Sequence, residues 1–411
     1  MTTKANYPTQ RPSLLLDFER SRTVDPRITF TRASTAMRCN PQGLLESVLA
    51  NVPRIDFDPV TGRCLGLLIE EARTNLLTYS EDFSNAAWSN AATTVGANMV
   101  VAPDGLLTAD KLTEDATNAI HRLQRPSSVS VTSAVVYTAS VYAKAAERSL
   151  LRLNFNTAFA ANAQFDLQAG TVSSTTAGAA AIQSVGNGWF RCSVTGTAAT
   201  TQTTTAFFEL ATIASLSTQT YQGDGTSGIY IWGAQLEAGA FPTSYIPTVA
   251  AQATRAAENV RMTGANFSSW YRVDEGTFLA LGIPQTVAVN TSTAFTVSNG
   301  TNNDRIAALF LAGTTSFVAV NNVAQSSGNA GTPTLNAPNT VAFTYKVDDF
   351  AVALNGGAVV ADMSGQLPTS VDRLHIGANG PGTGAYTCGH IRRIAYWPER
   401  LPNAQLQSLT L

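Results

Sequence analysis

The sequence has 411 residues, which is enough for two or three domains with separate hydrophobic cores. Charged residues make up only 13% of it, about half the usual share, while apolar residues at 44% are ordinary. The formal net charge is −2, which gives no electrostatic reason to expect nucleic acid or an anionic membrane as a partner. We therefore expect a polar, largely neutral surface.

Arginine supplies nearly all of the positive charge, since lysine occurs only at Lys4, Lys111, Lys144 and Lys346. Arginine forms bidentate, partly buried ion pairs that lysine forms poorly. This composition indicates that many arginines lie at interfaces between domains or subunits, although codon bias explains it equally well.

The sequence contains no run of 18 apolar residues, and its start lacks the apolar core of a secretory signal. We expect synthesis in the cytoplasm without membrane insertion, and transport out of a cell only as part of a particle. Cys39, Cys64, Cys192 and Cys388 show no C-x-x-C spacing, which favours free, at least half-buried thiols. A Cys39–Cys64 pair remains an open alternative.

Residues 1–74 form a segment rich in proline and arginine. Short strand candidates are interrupted by Pro12, Pro26, Pro41, Pro53 and Pro59, so few long elements fit. Such a segment buries little of its own surface but becomes ordered on a partner. We predict an extended N-terminal docking segment.

The sequence pattern of residues 75–248 predicts an all-β domain. Runs of strand-forming residues at 135–144, 150–155, 189–194 and 206–210 are separated by turns rich in Gly, Asn and Thr, which predicts a β-sandwich. In residues 228–238, isoleucines alternate with aromatic residues, so one face of this strand belongs to a core. The polar, alanine-rich residues 249–264 are predicted to be a linker.

Residues 265–411 contain a second set of strand patterns and therefore predict a second β-sandwich. The chain closes with a short amphipathic helix over residues 400–409, with Asn403 as a candidate N-cap. Residues 377–386 contain four glycines within eight residues and have the composition of an exposed binding loop. A plain surface loop is the alternative.

Several short sequence motifs resemble those of a known family. They are Phe30-Thr-Arg-Ala-Ser34, Asn51-Val-Pro-Arg54, Asp58-Pro-Val-Thr-Gly62, Leu67-Leu-Ile-Glu-Glu-Ala-Arg-Thr-Asn75 and Gly186-Asn-Gly-Trp-Phe-Arg191. Together with the strand at 228–238, they resemble tail-fibre and appendage proteins of tailed bacteriophages. Over 265–411, the order of Val371-Asp-Arg-Leu-His-Ile-Gly377, a glycine-rich loop and a strand that ends in Tyr396-Trp397-Pro398 resembles a concanavalin-A-like or laminin-G-like domain. The resemblance to the phage proteins implies a jelly roll similar to carbohydrate-binding modules over 75–248. It also implies a place in the virion, other virion proteins as partners, and a homotrimer.

Candidate ligand-binding residues follow from the chemistry of sugars. Aromatic rings pack on the C–H face of a pyranose, and amide groups bond its hydroxyls. The candidates on this basis are Trp88, Tyr142, Tyr230, Trp232, Gln235, Asn379 and Tyr386. The competing interpretation is that these are core residues, because an aromatic side chain in a sandwich more often packs inside than binds a ligand.

Catalytic signatures are missing from the sequence. It contains no G-x-S-x-G, H-E-x-x-H, P-loop or dinucleotide-binding motif, and no repeat of the kind that builds a β-helical depolymerase. We therefore expect no enzyme, no cofactor and no metal. His375 and His390 flank the glycine-rich loop and could meet across a hairpin as a metal pair, but half-exposed strand histidines are the simpler interpretation.

The function expected from the sequence is that of a phage virion structural protein. It would attach to the particle through its N-terminal segment and contact host-surface glycans through its sandwiches. Two alternatives remain: an architectural decoration protein of head, neck or tail, and a glycan depolymerase.

Overall fold

A computed structural model describes residues 8–154, 161–212, 216, 219–287 and 292–411, and the structural statements that follow concern those residues. Residues 1–7 of the predicted docking segment lie outside this range, as does Phe155, the last residue of one predicted strand.

The secondary structure is almost entirely β. The first part of the chain has β1 (Leu14–Asp17), α1 (Phe18–Ser21), β2 (Thr29–Thr31), β3 (Ala36–Cys39), β4 (Leu45–Val48), β5 (Ile55–Phe57), β6 (Cys64–Ile69) and β7 (Arg73–Asn75). The middle has β8 (Ser89–Ala91), β9 (Thr93–Val100), β10 (Ala109–Glu114), β11 (Asn118–Ile120), β12 (Arg122–Val131), β13 (Val136–Ala145), β14 (Leu150–Asn154), β15 (Asn162–Asp166), β16 (Thr171–Thr175), β17 (Ala179–Ser184), β18 (Trp189–Thr197), β19 (Gln202–Ala211), β20 (Thr220–Gln222) and β21 (Gly228–Ala238). The last part has β22 (Ala253–Arg255), β23 (Asn259–Thr263), α2 (Ala265–Ser268), β24 (Glu275–Pro284), β25 (Thr293–Ser298), β26 (Arg305–Leu311), β27 (Thr314–Val320), β28 (Val323–Gly328), β29 (Asn339–Lys346), β30 (Phe350–Leu354), β31 (Val360–Asp362), β32 (Arg373–Ile376), β33 (Gly389–Trp397) and α3 (Asn403–Thr410).

The terminal sandwich is built from both ends of the chain. One sheet has the strand order β31-β30-β29-β24-β33-β6-β5, with β1 also paired to β33, and the other has the order β2-β23-β32-β25-β26-β27-β28. Residues from both sheets share one hydrophobic core, including Leu16, Leu67, Val260, Phe278 and Phe295. Helix α3 packs on the outer side of the first sheet through Leu406 and Leu409.

The central sandwich consists of residues between β7 and β22. Its sheets have the orders β17-β18-β13-β21-β10-β9 and β16-β15-β14-β19-β12-β8, and one core joins them. Ile229 and Ile231 of β21 are fully buried in that core, as their alternation predicts. The all-β class with two sandwiches is thus confirmed.

The chain enters and leaves the central sandwich side by side. Strands β7 and β22 pair antiparallel, with Asn75 opposite Ala253 and Arg73 opposite Arg255. The central sandwich is therefore an insertion into the terminal sandwich rather than a domain that precedes it.

A buried group of charges, the junction network, lies beside this entry and exit point. The guanidinium of Arg54 donates from Nη2 to Glu70 Oε2 at 2.7 Å and to Glu258 Oε1 at 2.6 Å. Arg255 lies 2.8 Å from Glu70, and Arg32 lies 3.3 Å from Glu258. All five side chains are at most 1% exposed, so the three guanidinium groups interact with the two carboxylates and with backbone carbonyls, such as those of Leu49 and Met37, and not with water.

The network keeps the Glu70 carboxylate ionised. Burial alone would raise the pKa of Glu70, but the charges of Arg255 and Arg54 and hydrogen bonds from Ser244 outweigh it, so the pKa lies well below its ordinary value. The backbone N–H of Glu70 also donates to Glu258 Oε2 at 2.9 Å, which ties the segment before the insertion to the segment after it.

Two predicted boundaries differ from the structure. The docking segment over 1–74 contributes β1, β5 and β6 to one sheet of the terminal sandwich and β2 to the other, because its arginines find carboxylates within the chain and its apolar runs find strand partners. The predicted linker over 249–264 contains β22 and β23, and Val260 and Met262 of β23 are fully buried. At the C-terminal helix α3, the N-cap is Pro402 and not Asn403, so that assignment was wrong.

Removing one carboxylate from the junction network should destabilise the folded protein. We expect Glu258→Gln to lower the free energy of unfolding by about 3–5 kcal/mol, because it leaves buried guanidinium groups without their counter-charge. Urea unfolding measures the change. Asp274→Asn is the control at the exposed Arg272–Asp274 pair and should cost at most about 1 kcal/mol. Equal effects of the two substitutions would contradict this account of the junction.

Candidate functional site

Several aromatic candidates from the sequence lie in a buried cluster on the second face of β21. Trp232 packs against Tyr142 and Tyr245, with ring centroids 5.4 and 4.8 Å away, and Met37 of β3 belongs to the same cluster. Trp232 is 1% exposed and Tyr142 is 3% exposed, so neither ring has a face open to a ligand in this structure. Tyr230 is half-buried at the margin of the cluster.

Trp88 and Gln235 are also internal. Trp88 is packed against Phe208 in the central core, and its indole N–H donates to the carbonyl of Tyr79 at 3.0 Å. The amide of Gln235 is fully buried, donating to Glu237 at 2.6 Å and accepting from the N–H of Ile246 at 2.7 Å. Trp88 therefore belongs to the central core, and Gln235 ties β21 to the segment that follows it.

Because the Trp232 ring is buried, we expect its substitution to destabilise the fold. Trp232→Ala should lower the free energy of unfolding by about 3–5 kcal/mol, since it leaves a cavity among packed rings. Tyr230→Ala, at a half-buried position of the same strand, is the control and should cost less. Thermal or urea unfolding of both variants checks this, and an unchanged stability of Trp232→Ala would show that the ring is not packed as described.

The remaining two candidates, Asn379 and Tyr386, lie in the glycine-rich loop at one end of the terminal sandwich. This loop rests on the loop between β25 and β26. Ser298 Oγ donates to the carbonyl of Gly380 at 3.0 Å, and the N–H of Gly380 donates to Asn302 Oδ1 at 3.1 Å. A Cβ at position 380 would lie 2.0 Å from the carbonyl oxygen of Thr301, so only glycine allows this approach.

Loop N–H groups hold the side chains of Asn302 and Asn379 in place by donating hydrogen bonds to their amide oxygens. Asn379 Oδ1 accepts from the N–H groups of Thr383 and Gly384 at 3.1 and 3.2 Å, as Asn302 Oδ1 does from Gly380. Neither NH₂ group has a hydrogen-bond partner in the described part of the chain, and both side chains are half-buried. Beside them, the half-buried Tyr386 donates from its hydroxyl to the carbonyl of Gly382 at 3.4 Å.

We call Asn302, Asn379 and Tyr386 the amide surface. It presents two NH₂ groups and the partly exposed part of the Tyr386 ring, which packs against the terminal core on its other side, and none of its members is charged. Such groups can bond hydroxyl oxygens and contact an apolar face of a ligand. Asn302 was not among the candidates from the sequence. It lies near Asn379 only because two loops that are far apart in sequence contact each other.

His375 lies beneath the glycine-rich loop. Its side chain is 2% exposed, and a Cβ on Gly382 would lie 2.6 Å from its Nε2 atom. Burial, together with the charges of Arg373 and Arg261, lowers the pKa of His375 to about 4. The ring is therefore neutral near pH 7, where it supports the loop.

The histidine pair considered as an alternative from the sequence does not form. His375 belongs to β32 and His390 to β33, which lie in different sheets of the terminal sandwich. His390 instead contacts Asp56, with Nε2 2.8 Å from the carboxylate. In the residues with described positions, no three His, Cys, Asp or Glu side chains come together as a metal site.

The cysteines are all free and buried, so the Cys39–Cys64 pair left open by the sequence is not present. Burial raises the pKa of Cys39 to about 12, which keeps this thiol protonated at neutral pH. Within the described ranges, none of the helices has the length and apolar character needed to cross a bilayer.

Comparison with known proteins gives partial structural matches. No protein-family model and no curated protein matches the sequence. The carbohydrate-binding module CBM40 of the Ruminococcus gnavus IT-sialidase, solved with α2,3-sialyllactose, is 19% identical over 35% of this chain and 86% of that chain, with a TM-score of 0.29. Domain 4 of AbnA, a GH43 arabinanase of Geobacillus stearothermophilus solved with arabinotriose, is 15% identical over 42% and 82%, with a TM-score of 0.31.

A third match bears on catalysis. The NanB sialidase of Streptococcus pneumoniae is 14% identical over 36% of this chain, with a TM-score of 0.30, and the match spans 26% of the NanB chain. The expectation of no enzyme depended on missing motifs, and it does not stand now that a sialidase is among the matches. Matches this weak and partial establish no activity either.

The low pKa of His375 makes stability depend on pH. Between its ordinary pKa of 6.5 and about 4, the unfolded chain takes up a proton that the folded chain does not, so stability falls as pH falls through this window. His375→Gln should remove up to about 3 kcal/mol of that dependence. Urea unfolding of both proteins at pH 7 and pH 4.5 measures it, and parallel losses in the two proteins would contradict the assignment to His375.

Proposed function

We propose that this protein binds glycans through the amide surface. The observation that carries the proposal is the pair of carboxamides on Asn302 and Asn379, whose oxygens are held by loop N–H groups while their NH₂ groups have no partner among the described residues. Donors fixed in advance lose little conformational entropy when they bond a ligand. Tyr386 adds a ring of the kind that packs against the C–H face of a sugar.

The same geometry supports a mode of binding based on neutral hydrogen bonds and one ring contact. A single site of this kind is weak, because sugar hydroxyls must exchange bonds to water for bonds of similar strength. Several copies on one particle would raise the apparent affinity through multivalency, without any further contact.

We further propose that the protein is a structural component of a tailed-phage virion, a tail fibre or similar appendage that contacts host-surface glycans. The support is the resemblance of the phrases around Arg32, Arg54 and Glu70 to those proteins. Attachment to other virion proteins through the N-terminal segment over residues 1–74 and a homotrimeric state are part of this proposal and have the same support.

A glycan array probed with the purified full chain tests the binding proposal. Asn302→Asp keeps the oxygen that accepts from Gly380 but removes the NH₂ donor, so it should weaken binding to the recognised glycan by about tenfold. Tyr386→Ala should weaken it as well. Asn329→Asp changes an exposed asparagine outside both loops and should leave binding unchanged.

The array also has an outcome that would reject the proposal. If no glycan binds, or if Asn302→Asp and Tyr386→Ala bind as the unchanged protein does, the amide surface is not a glycan site. A purely architectural role in the particle would then be the better account.

A further inference from the structure

A groove lined by arginines opens in the terminal sandwich where β33 changes its neighbour. Strand β33 pairs with β6 over residues 389–391 and with β1 over residues 393–396, so the sheet forks at Arg392. Gly66 lies at this fork, and a Cβ there would be 2.5 Å from the carbonyl oxygen of Ile391. The groove beside the fork has a volume of about 540 Å³.

A β-bulge places two arginines side by side at the groove. Arg393 is opposite Leu281 on β24, but Ile391 is opposite Gly282, so Arg392 is an extra residue in the pairing. Ile391 and Ile394 both belong to the hydrophobic core. Because regular pleating would direct one of the two intervening side chains inward, the bulge is what keeps both guanidinium groups out of the core.

The groove carries an excess of positive charge. Arg20, Arg22, Arg63, Arg392 and Arg393 line it together with Glu19. Arg392 pairs with Glu19, and Arg393 lies 2.8 Å from Asp17 just beside the groove. Two carboxylates thus face five guanidinium groups, in a chain whose overall formal charge is −2.

Three of these arginines are available to a ligand. The side chains of Arg20 and Arg63 are 80% and 69% exposed, and their nearest carboxylates are 3.9 and 3.5 Å away. Arg22 is exposed and pairs with no carboxylate in the described part of the chain; its guanidinium lies 5.9 Å from the ring centroid of Phe57. In addition, the buried Nε atom of Arg392 has no hydrogen-bond partner among the described residues.

We propose that this arginine groove binds the anionic groups of an acidic saccharide. Guanidinium groups match carboxylate, sulfate and phosphate oxygens in a bidentate fork, and the volume is that of a site for a small ligand or a short stretch of a chain. The saccharide part of the proposal rests on the proposed function and deepens it: the glycan would be charged, and the groove would be a second contact site besides the amide surface.

The groove lacks the features that favour nucleic acid. Binding of single strands uses exposed aromatic rings as stacking platforms, whereas Phe57, the ring beside Arg22, is 4% exposed. The chain as a whole is not basic, since its formal net charge is −2, whereas nucleic-acid-binding domains are typically basic. An acidic saccharide needs neither feature.

Polygalacturonate, which carries carboxylates, and neutral dextran are the probes for the purified full chain, and titration calorimetry measures binding. Polygalacturonate should bind and dextran should not, and the affinity should fall when salt is raised, since charges near the surface are screened. Arg22→Gln and Arg63→Gln should each weaken binding severalfold. Lys346→Gln removes one exposed charge elsewhere, from a side chain 55% exposed, and should not weaken it.

Three results would overturn the proposal. Polygalacturonate binding no better than dextran would show that the groove does not select anions. Equal weakening by Lys346→Gln would show that only the overall charge matters. Tighter binding of single-stranded oligo(dT) than of polygalacturonate would show that the ligand class is wrong.

These experiments test the amide surface and the arginine groove separately. Tyr386→Ala leaves the groove intact, so it should keep arginine-dependent binding of polygalacturonate even when it no longer binds the neutral glycan found on an array. If the array shows no glycan but Arg22→Gln still weakens polygalacturonate binding, the amide surface is rejected and the groove stands.

Discussion

The fold depends on the contact of Arg54 with two carboxylates from opposite sides of a long insertion. Glu70 precedes the central sandwich and Glu258 follows it, yet both lie within 2.7 Å of the same guanidinium. Burying such charges is unfavourable unless each is compensated, so the arrangement is stable only when the segments on either side of the insertion are in place together. The pairing of β7 with β22 brings them to that position.

Joining the two ends of the chain in one sandwich also creates the arginine groove and the amide surface. The groove exists because β1 and β6, which come from the start of the chain, share β33 near its end and meet at Arg392. The amide surface likewise depends on two loops brought together by the terminal sandwich. The central sandwich contributes its aromatic residues to packing, among them the cluster around Trp232.

Local patterns in the sequence predicted the strands and the all-β class well, because alternation and turn residues act over a few positions. The pattern in residues 228–238 correctly placed Ile229 and Ile231 in a core. It could not show that β3 and its neighbours cover the opposite face, because that packing brings together segments nearly two hundred residues apart. Trp232 was therefore included among the candidate ligand-binding residues, whereas its ring is buried, in agreement with the alternative that it is a core residue.

The first 74 residues were hard to interpret for the same reason. Leu14 pairs with Tyr396 near the other end of the chain, and no local signal reveals a partner at that distance. One hint was present: Arg392 and Arg393 stand between two core isoleucines and interrupt the alternation, as a bulge requires. The family resemblance was densest in phrases that contain Arg32, Arg54 and Glu70, which are members of the junction network.

Hydrogen–deuterium exchange of the full chain tests most directly whether both ends of the sequence form one sandwich. The account predicts that the amides of Leu14–Asp17 and Cys64–Ile69 exchange as slowly as those of Phe350–Leu354, because all three belong to the same hydrogen-bonded sheet. Rapid exchange over the first two segments, with Phe350–Leu354 still protected, would show a separate N-terminal arm and contradict the account.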